Sequence, residues 1–274
     1  MDKSKLIVSL ATREQYSDLK LIWKTCFGDS DEYIDFFFEK KINSCHPIVA
    51  MYDNKVIGGM YLMPVKAFEY DKIKNGLYGY AIGVLPEYRK KGVYKHIHSK
   101  IEKYINDKNM FYILSPANEK LCEYYKTLGF IENAYISEEI YELSEKVCKS
   151  YTPEKLDENR YFKLRHEYFD NKNPIIWDKD ALLYVLDENR LAGGENLYIN
   201  DNNNEFFLLL RKGENEITVI ESNIDNPSDF NNFIMDRYKC KKIRWIKPDT
   251  NKKILYGLTC NLKKDSYYLN LILN

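Results

Sequence analysis

The stretch Ile82-Gly83-Val84-Leu85-Pro86-Glu87-Tyr88-Arg89-Lys90-Lys91-Gly92-Val93-Tyr94 decides how this chain folds. An apolar run, Leu77 to Leu85, stops at Pro86, whose fixed φ and missing N–H end a strand. Beyond the turn, Val93, Ile97, Ile101 and Ile105 recur every four residues, with Lys95, Ser99, Glu102 and Lys103 on the other face, which predicts an amphipathic helix. Between strand and helix lies a cationic turn, Arg89-Lys90-Lys91, and then Gly92. The free N–H groups of a first helical turn and three positive charges therefore meet at one point, as in a pyrophosphate cradle. Glycine lets the backbone approach phosphate closely, and the cations add charge-assisted bonds. Neither Gly-x-x-x-x-Gly-Lys-Ser/Thr nor Gly-x-Gly-x-x-Gly is present. Alone, Arg-x-x-Gly before a helix is more simply a solvated turn. Cations at a helix start oppose its dipole, however, so their clustering calls for an anionic partner.

Upstream, Leu6 to Leu10 alternates as a strand, and Thr12 with Gln15 forms a capping box that opens a helix. Tyr16, Leu19, Trp23 and Cys26 lie at helical spacing, and Gly28 ends that helix. Ser30 or Asp31 caps the next helix, with Ile34, Phe37, Phe38 and Ile42 as its apolar stripe. Ile48 to Tyr52 and Val56 to Phe68, joined at Asp53-Asn54, read as an antiparallel hairpin. Downstream, Met110 to Leu114 is a buried strand. Asn118 caps a helix to Leu128, Gly129 stops it, and extended structure resumes at Phe130 and again from Ile136 to Leu143. The order strand, two helices, three strands, helix, strand, helix, two strands predicts a mixed α/β arrangement in layers.

From about Cys148 the composition turns polar, which puts a boundary between a domain at 1–147 and another at 148–274. The second half reads as a helix from Leu156 to Phe169 and a short one around Ala181 to Leu186. Strands follow at Leu197 to Ile199, Phe206 to Leu210 and Ile217 to Glu221, then a helix after Pro227 and strands near Ile243, Leu255 and Leu269. No residue-level repeat is visible, although the pattern fits an eroded second copy of the first fold.

Of the 274 residues, 45% are hydrophobic and 30% charged, enough for one large or two small cores. Lysine plus arginine and aspartate plus glutamate both total 41, so no electrostatic footprint for nucleic acid or an anionic membrane exists. No secretory signal and no run of about 18 apolar residues is found, so a cytoplasmic location is expected. Six scattered cysteines without Cys-x-x-Cys are expected to be reduced and mostly buried, and no metal is expected. His96 and His98, two apart on a helix, diverge rather than share an ion.

With Val84, Pro86, Arg89 and Gly92 in the pattern Val-x-Pro-x-x-Arg-x-x-Gly-x-Gly/Ala, the segment resembles the GCN5-related N-acetyltransferase (GNAT) family. The last small residue is replaced by Tyr94, which makes the helix start bulkier. A second element, Asn118-x-x-Leu121-x-x-x-Tyr125-x-x-x-Gly129-Phe130, also matches the family. The basic triplet before the glycine looks like the tandem-domain branch that resembles the enhanced-intracellular-survival acetyltransferases. The resemblance covers about half the chain. It implies a GNAT mixed sheet flanked by helices, followed by a smaller, degenerate GNAT-like α/β domain.

The resemblance further implies acetyl-coenzyme A as cosubstrate. Val84, Leu85, Arg89, Lys90, Lys91, Gly92, Val93, Tyr94 and Asn118 would hold it, with Val84 pairing to pantetheine as an added strand. The N–H of Ile82 would face the acetyl carbonyl, Gly83 would permit a bulge, and Tyr125 would protonate the leaving thiolate. Tyr124, about 100° away on the helix, would point elsewhere. Glu69 and Glu87 are weak candidates for a general base, and a neutral amine or water is expected instead. Family members build the acceptor pocket near Tyr33, Phe36, Phe37 and Ala134, which fits a small-molecule or peptide amine. The second domain lacks the loop motif, so one cofactor site per chain is expected, with that domain walling the acceptor cleft or making a homo-oligomer. The alternatives are a non-catalytic acyl-coenzyme A sensor, and a phosphate-binding scaffold that would leave the Asn118 to Phe130 spacing unexplained.

Overall fold

The computed structural model describes residues 1–142, 150–202, 204–248, 254–263 and 266–269. In chain order the first elements are β1 (Leu6–Leu10), α1 (Tyr16–Phe27), α2 (Asp31–Lys40), β2 (His46–Tyr52), β3 (Lys55–Glu69), β4 (Lys72–Val84), α3 (Val93–Asp107), β5 (Phe111–Leu114), α4 (Glu119–Lys126) and β6 (Ile131–Glu142). Then come β7 (Glu154–Lys155), α5 (Glu158–Phe169), β8 (Ile176–Trp177), α6 (Lys179–Leu191), β9 (Glu195–Asp201), β10 (Asn204–Lys212), β11 (Glu216–Ser222), α7 (Ser228–Tyr238), β12 (Lys242–Lys247), β13 (Ile254–Cys260) and β14 (Tyr267–Tyr268). None of the helices among the described residues is long and apolar enough to cross a membrane.

The chain forms two compact units. One comprises Met1–Asn133, Ile176–Asp180 and Gly257–Asp265; the other comprises Ala134–Ile175, Ala181–Tyr256 and Ser266–Asn274. The expected boundary at 147/148 falls within 143–149, outside the described residues.

In the first unit, β1, β2, β3 and β4 form an antiparallel meander, β5 lies parallel to β4, and β13 lies antiparallel to β5. Adjacent glycines on β3 show how helices cover both faces. A Cβ on Gly59 would sit 2.2 Å from Leu19 of α1, whereas one on Gly58 would meet Val93 of α3 at 3.6 Å. Neighbouring strand residues point to opposite faces, so α1 and α3 lie on opposite sides of the sheet. Leu19, Ile22, Trp23, Ile34 and Phe37 fill one side, and Ile97, Ile101 and Ile105 the other. The returning segments are pinned by polar contacts. Lys74, itself buried, donates to the Asn261 carbonyl at 2.6 Å and pairs with Glu69 at 3.3 Å, and the buried Lys41 pairs with Asp178 at 3.5 Å.

The second unit repeats this order and pairing. β7, α5, α6, β9, β10, β11, α7 and β12 follow one another, allowing for the inserted β8, as β1, α1, α2, β2, β3, β4, α3 and β5 do in the first. β7 pairs antiparallel with β9, β9 with β10 and β10 with β11, and β12 is parallel to β11. Leu197, Leu208, Val219, Ile234, Ile243 and Trp245 make its core.

Two expectations need correction. Extended structure after α4 is one strand, Ile131–Glu142, and not two, because its pairing with β12 continues from Ser137 to Glu142. The bulge expected at Gly83 is at Ala81 and Ile82. Gly83 pairs with Gly59 and Tyr80 with Tyr61, which leaves two β4 residues opposite Met60 alone. Ala81 takes a left-handed φ of 46° there. Gly83 is needed for packing instead, since a Cβ would lie 3.1 Å from both Cys26 Sγ and Ile22 Cγ2 of α1. The final described strand, Tyr267–Tyr268, is where one was expected near Leu269.

Candidate functional site

The first feature of the site is a split between strands. β4 and β5 are in parallel register over Gly76–Phe111, Leu77–Tyr112, Tyr78–Ile113 and Gly79–Leu114, and no further. β4 runs on to Val84 without a β5 partner, so its backbone from Tyr80 has an open edge that an extended ligand could pair with. The bulge at Ala81 and Ile82 bends the strand just there. It also resets the pleat, so that Tyr80 and Gly83 both face α1: Tyr80 packs 5.4 Å from Trp23, and Gly83 lies against Cys26.

The loop following β4 supplies the second feature. Pro86–Tyr88 make one 3-10 turn. Lys90 then adopts φ 60° and Gly92 φ 80°, and Gly92 is the N-cap of α3 with no side-chain cap. The first-turn N–H groups of α3 are thus left for a ligand, and the left-handed turns before them curve the backbone into an anion-binding concavity. Arg89 Nε donates to the Val84 carbonyl at 2.9 Å, and its Nη2 lies 3.6 Å from Cys26 Sγ, which ties the loop to the end of β4. Val84 is half-buried, and the N–H of buried Leu85 donates to Ile57 at 2.9 Å. Lys90 and Lys91 are exposed, and the Lys91 ammonium stands 5.5 Å over the Tyr88 ring.

The third feature lies on α4, with Asn118 at its N-cap and Tyr125 in its last turn. Exposed Asn118 caps α4 through its side-chain oxygen, which accepts from Leu121 N at 3.0 Å and leaves the amide NH2 available. Tyr125 is buried, with its ring 5.4 Å from Tyr94, 5.6 Å from Phe130 and 5.8 Å from Tyr124. Its hydroxyl has no hydrogen-bond partner among the described residues, and burial pushes its pKa up, so it stays protonated at neutral pH. Tyr124 is more exposed than Tyr125, as expected of the neighbouring helix position.

Tyr94 departs from its expected place at the rim of the cofactor loop. Its side chain is buried, with its hydroxyl 3.3 Å from that of Tyr112. Only its backbone N–H remains at the helix start.

Glu69 sits at the β3–β4 turn opposite Lys72, which is ten residues or about 33 Å along β4 from Ile82, and it pairs with Lys74. Glu87 is exposed and pairs with Lys55 at 3.6 Å. Neither stands beside Ile82. Of the acceptor-side aromatics, Phe37 is fully buried against Trp23 and Tyr61, whereas the Tyr33 hydroxyl lies 3.1 Å from that of Tyr80. The sequence reading missed Tyr80, Ala81 and Cys26, for which no motif gives a signal. The grouping of Cys122, Glu123 and Glu132 has the spacing of a metal site, but Lys126 inserts its ammonium between the two carboxylates, at 2.8 and 2.5 Å. Cys26, Cys45, Cys122, Cys240 and Cys260 are free thiols, and Cys148 lies outside the described residues.

Residues 8–132 match the family model described as an acetyltransferase (GNAT) domain. No curated protein matches the chain. Among solved structures, a conserved protein from Enterococcus faecalis V583 aligns with a TM-score of 0.75 at 13% identity, over 93% of this chain and 72% of that one. A GCN5-related N-acetyltransferase from Anabaena variabilis aligns with a TM-score of 0.70 at 15% identity, again over 93% and 72%. Eis1 from Mycobacterium abscessus aligns with a TM-score of 0.64 at 8% identity, over 93% and 73%. At such identities the likeness is one of fold. Residues 8–132 match a GNAT acetyltransferase domain, and the chain has the mixed α/β fold of the GNAT structures.

Proposed function

We propose that the chain is an acetyl-coenzyme A-dependent N-acetyltransferase that moves the acetyl group directly to a primary amine on a small molecule or peptide. The observation that carries this reading is the split of β4 from β5 after Gly79, between the uncapped start of α3 and the unpartnered hydroxyl of Tyr125. A thioester ligand supplies the acyl group and the thiol leaving group. The open edge around Ile82 and Val84 would hold its extended arm, and Asn118 would meet it from α4. The N–H groups after Gly92, with Lys90 and Lys91 beside them, would meet its phosphates.

The amine nitrogen forms a bond to the acyl carbon, the N–H of Ile82 stabilises the oxyanion, and the C–S bond then breaks. Tyr125 gives its proton to the departing sulfur and regains one from solvent, while the amine's surplus proton leaves to water. Among the described residues Glu69 and Glu87 are engaged elsewhere, with Lys74 and Lys55, so water or an already neutral amine serves in place of a general base. Glu69→Gln is therefore expected to leave kcat and its acidic limb unchanged; loss of that limb would name Glu69 as the base.

One such site per chain is the reading, supported by the second unit's own loop. Where the first unit has its cationic triplet, the second has Asp225 before α7, and Lys247 at the end of β12 donates to the Asp225 carbonyl at 2.7 Å. The repeat of topology also supports assignment to the tandem-domain branch.

The test is thiol release from acetyl-coenzyme A over a panel of primary amines. Tyr125→Phe is expected to lower kcat by about 10²–10⁴-fold while cofactor affinity, read by calorimetry, is kept. Binding without turnover on any amine would instead identify a sensor.

A further inference from the structure

Resting on the reading of Tyr125 as the acid, we propose that Tyr94 is a positioning residue that fixes the Tyr125 ring at the strand split. Among the described residues the Tyr125 hydroxyl has no hydrogen-bond partner, so ring packing orients it. The Tyr94 ring meets it edge-on, 5.4 Å away at 77°. Tyr94 is itself held at both ends. Its hydroxyl lies 3.3 Å from that of Tyr112, and its ring stacks on His98 at 6.2 Å and 23°. His98 in turn reaches the Leu128 carbonyl at 3.0 Å, at the end of α4.

The far end of this chain sits where the strands part. A Cβ on Gly79, the last β4 residue paired with β5, would lie 2.4 Å from the Tyr112 hydroxyl. Glycine there gives the phenol its space. Tyr112 also packs 5.3 Å from Phe130, which closes the ring of contacts around Tyr125. A glycine or alanine at position 94 would leave a void beside Tyr125 and free its ring to turn further toward solvent. Among the described residues the titratable rings in contact with Tyr125 are Tyr94 on α3 and Tyr124 on α4, with Tyr112 on β5 and His98 on α3 one contact further out behind Tyr94, and all of these are neutral at neutral pH.

The experiment compares Tyr94→Ala and Tyr94→Phe by two readouts. In the first, NMR titration of protein carrying ring-labelled tyrosine follows the Tyr125 phenol, assigned by its loss in Tyr125→Phe. Tyr94→Ala is expected to move that titration down toward the ordinary tyrosine value of about 10, and Tyr94→Phe to leave it raised. In the second, Tyr94→Ala is expected to lower kcat about 10- to 100-fold with the KM for acetyl-coenzyme A little changed, while Tyr94→Phe keeps kcat. If Tyr94→Ala is poorly folded by circular dichroism, Tyr94→Leu, which fills the space without the ring, replaces it under the same expectations. An unmoved titration, or a raised KM with kcat kept, overturns the proposal; the latter would make Tyr94 part of the phosphate edge. If Tyr125→Phe itself keeps kcat, the general-acid reading fails, and the NMR titration still decides whether Tyr94 holds the ring.

Discussion

At position 98 the imidazole is buried beneath α4, with Nε2 donating to the Leu128 carbonyl and a bare Nδ1 that meets no partner. Burial lowers its pKa from the ordinary 6.5. The folded chain then binds fewer protons here than the unfolded one at mildly acid pH. The stability from a neutral His98 is therefore complete above pH 6.5 and lost as pH falls through the folded value. Thermal scans are expected to show a larger fall in Tm on acidification of the wild type than of His98→Gln; equal falls would mean that His98 is not the group. Tyr125 follows the opposite logic, since a raised phenol pKa keeps its proton through the whole neutral range. Both residues belong to one aromatic cluster, and only Tyr125 was legible in sequence, through its spacing from Gly129-Phe130. Tyr94 was legible only as a departure from a pattern, because its burial depends on a partner 18 residues away, Tyr112 on β5.

Among the elements, β4 carries the most. Ala81 holds a left-handed conformation that costs an L residue roughly 1–2 kcal/mol, part of which glycine would return at the cost of chain entropy. Ala81→Gly is expected to raise stability by about 0.5–1 kcal/mol in urea titrations, and Ala81→Val to lower it. A fall in Ala81→Gly would show that the bulge has another conformation in solution. Gly76→Ala should cost about 1–3 kcal/mol, because the new methyl would lie 2.4 Å from the Phe111 ring. The helices and most strands could be read from period and capping: Thr12 with Gln15, Gly28, Ser30 and Gly129 all punctuate as expected. The bulge could not. Glycine at 83 looked like the residue made for it, yet an alanine takes the strained turn, since register is set by cross-strand pairing and α1 claims the space at Gly83. β7 and β8, of two residues each, have no sequence period to detect.

At the scale of the whole molecule, the second unit repeats the first in order, pairing and even the bulge. Leu209 pairs with Glu221 and Leu210 with Val219, so Ile220 is the extra residue just past four parallel pairs with β12. No residue-level repeat announced this, because topology survives substitution that erases sequence. This unit has its own buried charge pair: Arg165 Nε donates to Glu221 at 3.0 Å, both are buried, and Tyr161 donates to the same carboxylate. Glu221→Gln would leave the guanidinium uncompensated and is expected to cost about 3–5 kcal/mol, read by hydrogen exchange in β9 to β11. Replacing both partners, as Arg165→Met with Glu221→Leu, should recover most of that loss; failure to recover would mean that the pair is needed for more than charge balance.

In the proposed function, the split strand and the start of α3 form one acyl-coenzyme A cradle. A crystal structure of the full chain with coenzyme A tests it most directly. Pantetheine is expected along the Tyr80 to Val84 edge, pyrophosphate on the N–H groups following Gly92, and the thiol beside Tyr125. Coenzyme A bound elsewhere, or a β4 edge that closes onto β5 through Val84, would contradict it.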